Sequence, residues 1–180
     1  MMKKIILSLL FIALSVTVMA QSKPQSAEKA LDEAYKNARN KNVMIVFHAS
    51  WCKWCKKLET ALNSADLKKV FEENYSIAYL DVMERGGKID SLENPGGKEI
   101  MKKYGGEKAG LPFIVFVDKK GKLLANSNVM NGNANIGYPG SKEEVDAFCK
   151  LLKKTSKKIT SKQLKEVRDY LIKNAPHANN

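Results

Sequence analysis

Val43-Met44-Ile45-Val46-Phe47-His48-Ala49-Ser50-Trp51-Cys52-Lys53-Trp54-Cys55-Lys56-Lys57-Leu58-Glu59 is the stretch on which the reading of this chain turns. From Val43 to Ala49 the residues are almost all apolar and rich in β-branched and aromatic side chains. That is the pattern of a strand buried on both faces of a parallel sheet. Ser50 and Trp51 then turn the chain, and a helix begins near Cys52 with Leu58, Ala61 and Leu62 on its inner side. Two cysteines separated by two residues therefore stand where a buried strand gives way to an amphipathic helix.

Such a pair serves three chemistries. Haem attachment of the c type needs His directly after the second cysteine, and that position is Lys56. A structural zinc site needs four ligands, and beyond Cys52 and Cys55 the chain offers only Cys149, His48 and His177 as sulfur or imidazole donors. His48 with the pair makes three, and the fourth would have to come from far away. A redox dithiol fits the placement better. The unpaired N–H groups and positive dipole end of a first helical turn favour an anion, and a Cys52 thiolate is that anion. Lys53, Lys56 and Lys57 add positive charge in the same turn and push the same way. Cys55 lies one helical turn beyond Cys52, close enough for a disulfide. Cys52 is thus expected to attack a substrate disulfide and Cys55 to resolve the mixed disulfide. Trp51 and Trp54 are expected to shield the pair and contact substrate, the plainer alternative being that Trp51 packs on a loop and only Trp54 is exposed. Neither a metal nor another cofactor is expected.

Upstream, Lys3 and Lys4 precede an apolar run, Ile5 to Met19, and Val18-Met19-Ala20 supplies a cleavage site. Residues 1–20 therefore read as a secretory signal peptide cut after Ala20, since a fifteen-residue stretch, broken only by Ser8, Ser15 and Thr17, falls short of the roughly 20 apolar residues that span hydrocarbon. The protein is expected to be exported, to the periplasm or beyond, with no stable membrane insertion once the leader is gone. Residues 21–25 form a polar linker. Ser26 caps a helix reaching about Asn40, and a second helical stretch, Ala65 to Asn74, follows the cysteine helix. Ser76 to Val82 is a strand, Met83 to Gly97 a long surface loop, and Lys98 to Tyr104 a short helix. Pro112 opens a strand to Val117, Asp118 to Gly121 is a hairpin turn, and Lys122 to about Ser127 returns antiparallel. Asn128 to Gly140 reads as a second Asn/Gly-rich loop. Ser141 and Glu144 have capping-box spacing ahead of a helix with Val145, Phe148, Leu151 and Leu152 inside. A last helix runs from Thr160 to about Asn174, before a polar tail at 175–180. The expected architecture is α/β, a mixed central sheet flanked by helices, with the domain at 26–158 and an extra C-terminal helix, 159–174, packed on it.

Of 180 residues, 44% are hydrophobic and 28% charged, which excludes collagenous and disordered classes. Three cysteines are too few for a disulfide framework, and their odd number leaves one over. Cys149, set among Val145, Phe148 and Leu152, reads as a small core residue. The net charge of +12 stays strongly positive without Lys3 and Lys4. The basic pairs are interleaved with apolar residues at helical spacing and lack aromatic stacking partners, so they read as a solvated surface and no nucleic-acid partner is expected.

Val43 to Glu59 resembles the active-site strand and helix of the thioredoxin superfamily, and most closely its exported thiol:disulfide interchange members. Gly110-Leu111-Pro112-Phe113-Ile114-Val115-Phe116-Val117-Asp118-Lys119-Lys120-Gly121 resembles the same family's proline and hairpin. The resemblance implies a thioredoxin-like fold, a cis bond at Leu111-Pro112, and a loop that pairs with an extended substrate segment beside the cysteines. Leu111, Pro112 and Phe113 would make that contact. The family's buried aspartate six residues before the first cysteine is Val46 here, and Tyr79 stands where a buried lysine often lies. His48 and Glu59 become the alternative proton acceptors for Cys55. The implied activity is that of an exported protein disulfide oxidoreductase, acting on protein or peptide thiols and disulfides with a redox partner protein, the reductase or isomerase direction favoured. A non-catalytic peptide-binding module on the same fold is the alternative.

Overall fold

The computed structural model describes residues 23–176. The signal peptide expected at 1–20, the start of the linker and the end of the tail lie outside them. The central strand β1 (Asn42–His48) is buried from Asn42 to Phe47, as its apolar run predicts. It pairs parallel with β2 (Tyr75–Asp81), in register from Asn42 opposite Tyr75 to His48 opposite Asp81. On its other side it pairs antiparallel with β3 (Phe113–Val117), which pairs antiparallel with β4 (Leu123–Asn126). The strand order β2-β1-β3-β4 makes a mixed sheet.

Side-chain alternation along β1 and β3 divides the core in two. Met44, Val46, Ile114 and Phe116 face α2 (Lys53–Leu62), α3 (Lys68–Asn74) and α6 (Lys142–Thr155). Val43, Ile45, Phe47, Val115 and Val117 face α1 (Ala27–Ala38) and α5 (Gly97–Lys103). Helix starts follow their caps. The Ser26 side chain accepts from the Lys29 N–H, and Ser141 with Glu144 forms the expected capping box on α6. A second capping box, Thr160 with Gln163, opens α7 (Ser161–Lys173). Val167 and Leu171 of α7 are buried in the same core half as Phe148 and Leu152.

Three expectations change. Ala65 to Leu67 is a turn rather than helix, because the Ser64 hydroxyl accepts the Leu67 N–H (3.2 Å) and α3 starts at Lys68. The segment 83–97 is not simply a surface loop: it contains α4 (Lys88–Leu92), and Glu84 is buried. Asn128 to Gly140 likewise contains β5 (Asn128–Met130), a 3-10 turn and β6 (Ala134–Asn135), which form a small antiparallel pair, and then places Ile136 and Tyr138 in the core. Both segments are rich in turn formers, yet asparagine side chains stand in for backbone partners. Asn94 accepts the Asp81 N–H (2.6 Å) and donates to the Gln25 carbonyl (2.7 Å), which ties the end of β2 to the approach of α1.

The packing of α7 is testable. Leu171→Ala should cost about 2–5 kcal/mol in urea unfolding while leaving one cooperative transition. An unchanged midpoint would mean that α7 does not belong to the folding unit.

Candidate active site

The carboxyl end of β1 delivers the site. The Cys52 N–H donates to the Ala49 carbonyl (3.0 Å), closing the turn through Ser50 and Trp51. Cys52 is then the N-cap of α2, in extended conformation, and its Sγ accepts the Cys55 N–H at 3.2 Å. Cys52 and Cys55 are joined as a disulfide with their Cα atoms 5.3 Å apart. Both cysteines are buried, Cys55 completely and Cys52 with 4% exposure, so Cys52 is the more accessible of the two. Ala49 and Leu111 pack on the pair.

The Leu111-Pro112 bond is cis. The loop before β3 is held from an unexpected direction: the Asn135 amide donates to the Gly110 carbonyl (2.7 Å) and the Pro112 carbonyl (2.9 Å). Asn135 is itself fixed by the Ser127 hydroxyl (2.6 Å), whose oxygen also accepts the Ile114 N–H (2.9 Å). Leu111 is half-buried beside the cysteines, and its own N–H and C=O have no backbone partner among the described residues. Phe113, expected at the substrate surface, is fully buried with its ring 5.9 Å from that of Phe47. Strand alternation turns it into the core half under α5, where Gly106 approaches so closely that a Cβ would stand 2.6 Å from its ring.

Both tryptophans are exposed, Trp51 by 41% and Trp54 by 43%. Trp51 also packs on a loop, as the plainer reading had it. Its indole N–H donates to the Met83 carbonyl (2.8 Å), and the Arg85 guanidinium lies 3.8 Å from its ring centroid. Trp54 stacks on Tyr138 with centroids 6.0 Å apart, and the Lys57 ammonium lies 5.1 Å from the Tyr138 ring. Lys53 and Lys56 are exposed on the outer side of the same turn.

His48 and Glu59, weighed separately from sequence, are partners. His48 Nδ1 is 2.6 Å from Glu59 Oε1, and Nε2 is 3.5 Å from Asp81 Oδ1. The histidine shares the Val46 face of β1, as a spacing of two requires, and its ring meets the edge of Tyr79 at 5.6 Å. Burial pushes the Asp81 carboxyl above the ordinary carboxylate range; His48 pulls it down, while Glu84 and Glu59 push it further up. Cys149 is a free, buried thiol on α6, and burial raises its pKa as well.

Glu84 escaped sequence reasoning. Its carboxylate, 4% exposed, accepts the Ser50 N–H (2.5 Å) and the Ser50 hydroxyl (2.8 Å). The Glu84 N–H in turn donates to Glu93 (2.8 Å), whose carboxylate pairs with Lys98 (2.9 Å). The segment after β2 is thereby bolted to the turn before Cys52. The one available signal was position: β1 and β2 are parallel, so residues just past their carboxyl ends are neighbours.

A thioredoxin-like domain profile matches residues 27–130. The chain belongs to the thioredoxin-like domain family. Its curated relatives include a protein disulfide-isomerase of Hordeum vulgare, 30% identical over 114 residues, and one of Triticum aestivum, 31% identical over 114 residues. Each match covers 62% of this chain but 18% of the relative, so the chain spans under a fifth of those proteins' length. Among solved structures, the disulphide isomerase from Xylella fastidiosa Temecula1 is 25% identical, with a TM-score of 0.42 over 55% of this chain and 68% of that one. The mixed sheet, its flanking helices and the strand-to-helix dithiol are the family's fold in this chain.

Because Glu84 satisfies two donors of Ser50, Glu84→Ala should lower the stability of the oxidised protein by about 1–3 kcal/mol in urea unfolding. Glu84→Gln, which keeps an acceptor, should lose distinctly less. Equal losses would show that Glu84 contributes packing rather than these hydrogen bonds.

Proposed function

We propose that this protein is an exported protein disulfide oxidoreductase that exchanges disulfides with extended protein or peptide segments through Cys52 and Cys55, working in the reductase or isomerase direction. One observation carries the proposal: the outer cysteine caps a helix and is bonded to an enclosed cysteine, beside a proline loop whose Leu111 backbone is unpaired. The direction draws support from the matched relatives, which are named protein disulfide-isomerases. Export rests on residues 1–20, with cleavage after Ala20 into a periplasmic or extracellular space.

With the pair reduced, the Cys52 thiolate attacks one sulfur of a partner disulfide. A bond forms between Cys52 and that sulfur, the partner's S–S bond breaks, and its other sulfur leaves as a thiolate and takes up a proton. Cys55 then loses its proton and attacks Cys52 Sγ. The Cys52-Cys55 bond forms, the mixed disulfide breaks, and the partner leaves as a dithiol carrying two electrons. A donor dithiol on a redox partner protein restores the pair by the reverse sequence. If a thiol of the substrate attacks the mixed disulfide first, pairing is reshuffled with no net electron transfer, which is isomerisation.

The supporting residues take their roles from position. The N-terminal end of α2, with Lys53 and Lys56, stabilises the ionised Cys52. Glu59 lies one turn beyond Cys55 on α2 and, held by His48, is the acceptor we assign to the Cys55 proton. The Leu111 N–H and C=O pair with the substrate backbone, and Pro112 sets the loop against the cysteines. Trp51 and Trp54, both exposed and next to the pair in the chain, are assigned the shielding of the disulfide. Phe113 acts from the core, through Phe47.

Cys52→Ser should abolish reduction of a model protein disulfide, and Cys55→Ala should accumulate a partner bound through Cys52 that survives denaturant and is released by dithiothreitol. Wild-type rates in Cys52→Ser, or partners lost in denaturant, would favour the simple peptide-binding module instead. Mass analysis of protein from the periplasm should give a chain beginning at Gln21; an intact Met1 there would refute cleavage.

A further inference from the structure

Two cation-backed aromatic walls flank the dithiol. On one side Arg85 lies against Trp51, and on the other Lys57 lies by the stacked rings of Trp54 and Tyr138. A cation above a ring keeps its N–H donors available, and a guanidinium in that position can still grip a carboxylate with two of them. Arg85 is exposed, and neither it nor Lys57 donates a hydrogen bond to a described residue. Lys53, Lys56 and Lys88 complete a positive rim, and none of these five cations pairs with a carboxylate among the described residues. Three nearby carboxylates have other partners: Glu84 holds Ser50, Glu59 contacts His48, and Glu144 accepts the N–H groups of Gly140 and Ser141 (2.9 Å each).

Between the Trp54 wall and the proline loop runs an open groove of about 390 Å³, lined by Trp54, Leu111, Ile136 and Tyr138. A Cβ at Gly137 would stand 4.0 Å from Pro112 Cδ, so the groove's floor runs directly alongside the proline. It has room for the side chains of an extended segment; the Lys57 ammonium lies by its Tyr138 wall, and its one lining carboxylate, Glu144, is held by the N–H groups of Gly140 and Ser141.

We propose that this surface selects extended protein segments carrying Asp or Glu on both sides of the reacting sulfur, one flank meeting Arg85 and the other Lys57. The inference rests on the exchange function proposed above and adds its substrate class. Carboxylate flanks bring the partner sulfur to Cys52 faster, because the rim attracts them before contact. Lysine flanks are repelled by the same rim.

The test uses reduced full-length mature protein and two peptides of equal length, each carrying one cysteine as a mixed disulfide with a chromophoric thiol. One peptide has Glu on both sides of the cysteine and the other has Lys. At low ionic strength the Glu peptide should react roughly tenfold faster. That ratio should fall toward one near ~1 M salt, where the screening length is about 3 Å. Arg85→Glu combined with Lys57→Glu should cancel or invert the ratio, and the Gln substitutions at both positions should lie between, should the Glu pair fail to fold. Equal rates for the two peptides at low salt overturn the proposal, even if anionic lipid vesicles bind the same face. A small neutral disulfide run alongside separates the two readings. If wild-type protein does not reduce it, dithiol exchange itself fails; if it does and the peptides are not distinguished, only the acidic preference fails.

Discussion

At the first turn of α2 the Cys55 N–H donates to Cys52 Sγ (3.2 Å), a position at which helices ordinarily use a serine, threonine or aspartate oxygen. Sulfur in a disulfide is a weak acceptor, so the cap is poor in the oxidised protein. When the bond opens and Cys52 ionises, the same N–H groups face a full negative charge and the contact becomes charge-assisted. The helix start is therefore better satisfied when Cys52 carries a negative charge than when it is in the disulfide. The rest of the site keeps this geometry in place: the Ala49 carbonyl holds the Cys52 N–H, and Glu84 holds Ser50.

That arrangement depends on the sheet more than on the loop itself. β1 lies between two partners, so its carboxyl end has little freedom to move. Its parallel neighbour β2 ends beside it and passes directly to Glu84, while its antiparallel neighbour β3 begins beside it and is preceded by Pro112. The dithiol turn, the Glu84 anchor and the proline loop thus come from three separate stretches of chain that the strand order brings to one edge. The mixed sheet is what makes this possible: an antiparallel β3 starts where β1 and β2 end.

What could be read from the residues was whatever had a local cause. The apolar run of β1, the cysteine spacing, the Ser141/Glu144 cap and the Asp118 to Gly121 turn each express short-range physics, and each stands at its expected place. Glu84 and Asn135 did not declare themselves, since their partners, Ser50 and the Gly110 and Pro112 carbonyls, lie more than twenty residues away. Composition marked both surroundings as loop because Asn and Gly favour turns, and it carries no information on which distant carbonyl an asparagine will find. Phe113 was misplaced for a different reason. It is the first residue of β3, and only its pairing with Phe47 decides which face it takes. His48 and Glu59 were each visible as titratable groups near the cysteines, but their contact depends on how α2 crosses β1, which no spacing within either element specifies.

Charge is sorted across the site in a way that distinguishes two chemically identical thiols. Lys53, Lys56, Lys57 and Arg85 lie on the solvent side of the turn, whereas Glu59, Asp81 and Glu84 lie inward, tied to His48 and Ser50. Burial holds the Asp81 carboxyl above the usual carboxylate range, with His48 opposing and Glu84 and Glu59 adding to the shift. An anion forming at Cys52 meets the helix N-terminus and the cations; one forming at Cys55 is enclosed, with Glu59 a turn away on the same helix. The proposed exchange accordingly assigns nucleophilic attack to the outer sulfur. In the proposed exchange the inner sulfur gives up its proton toward Glu59, the carboxylate that His48 contacts. The order proposed for the two steps then rests on how charge is distributed across one helical turn, without any difference between the cysteines themselves.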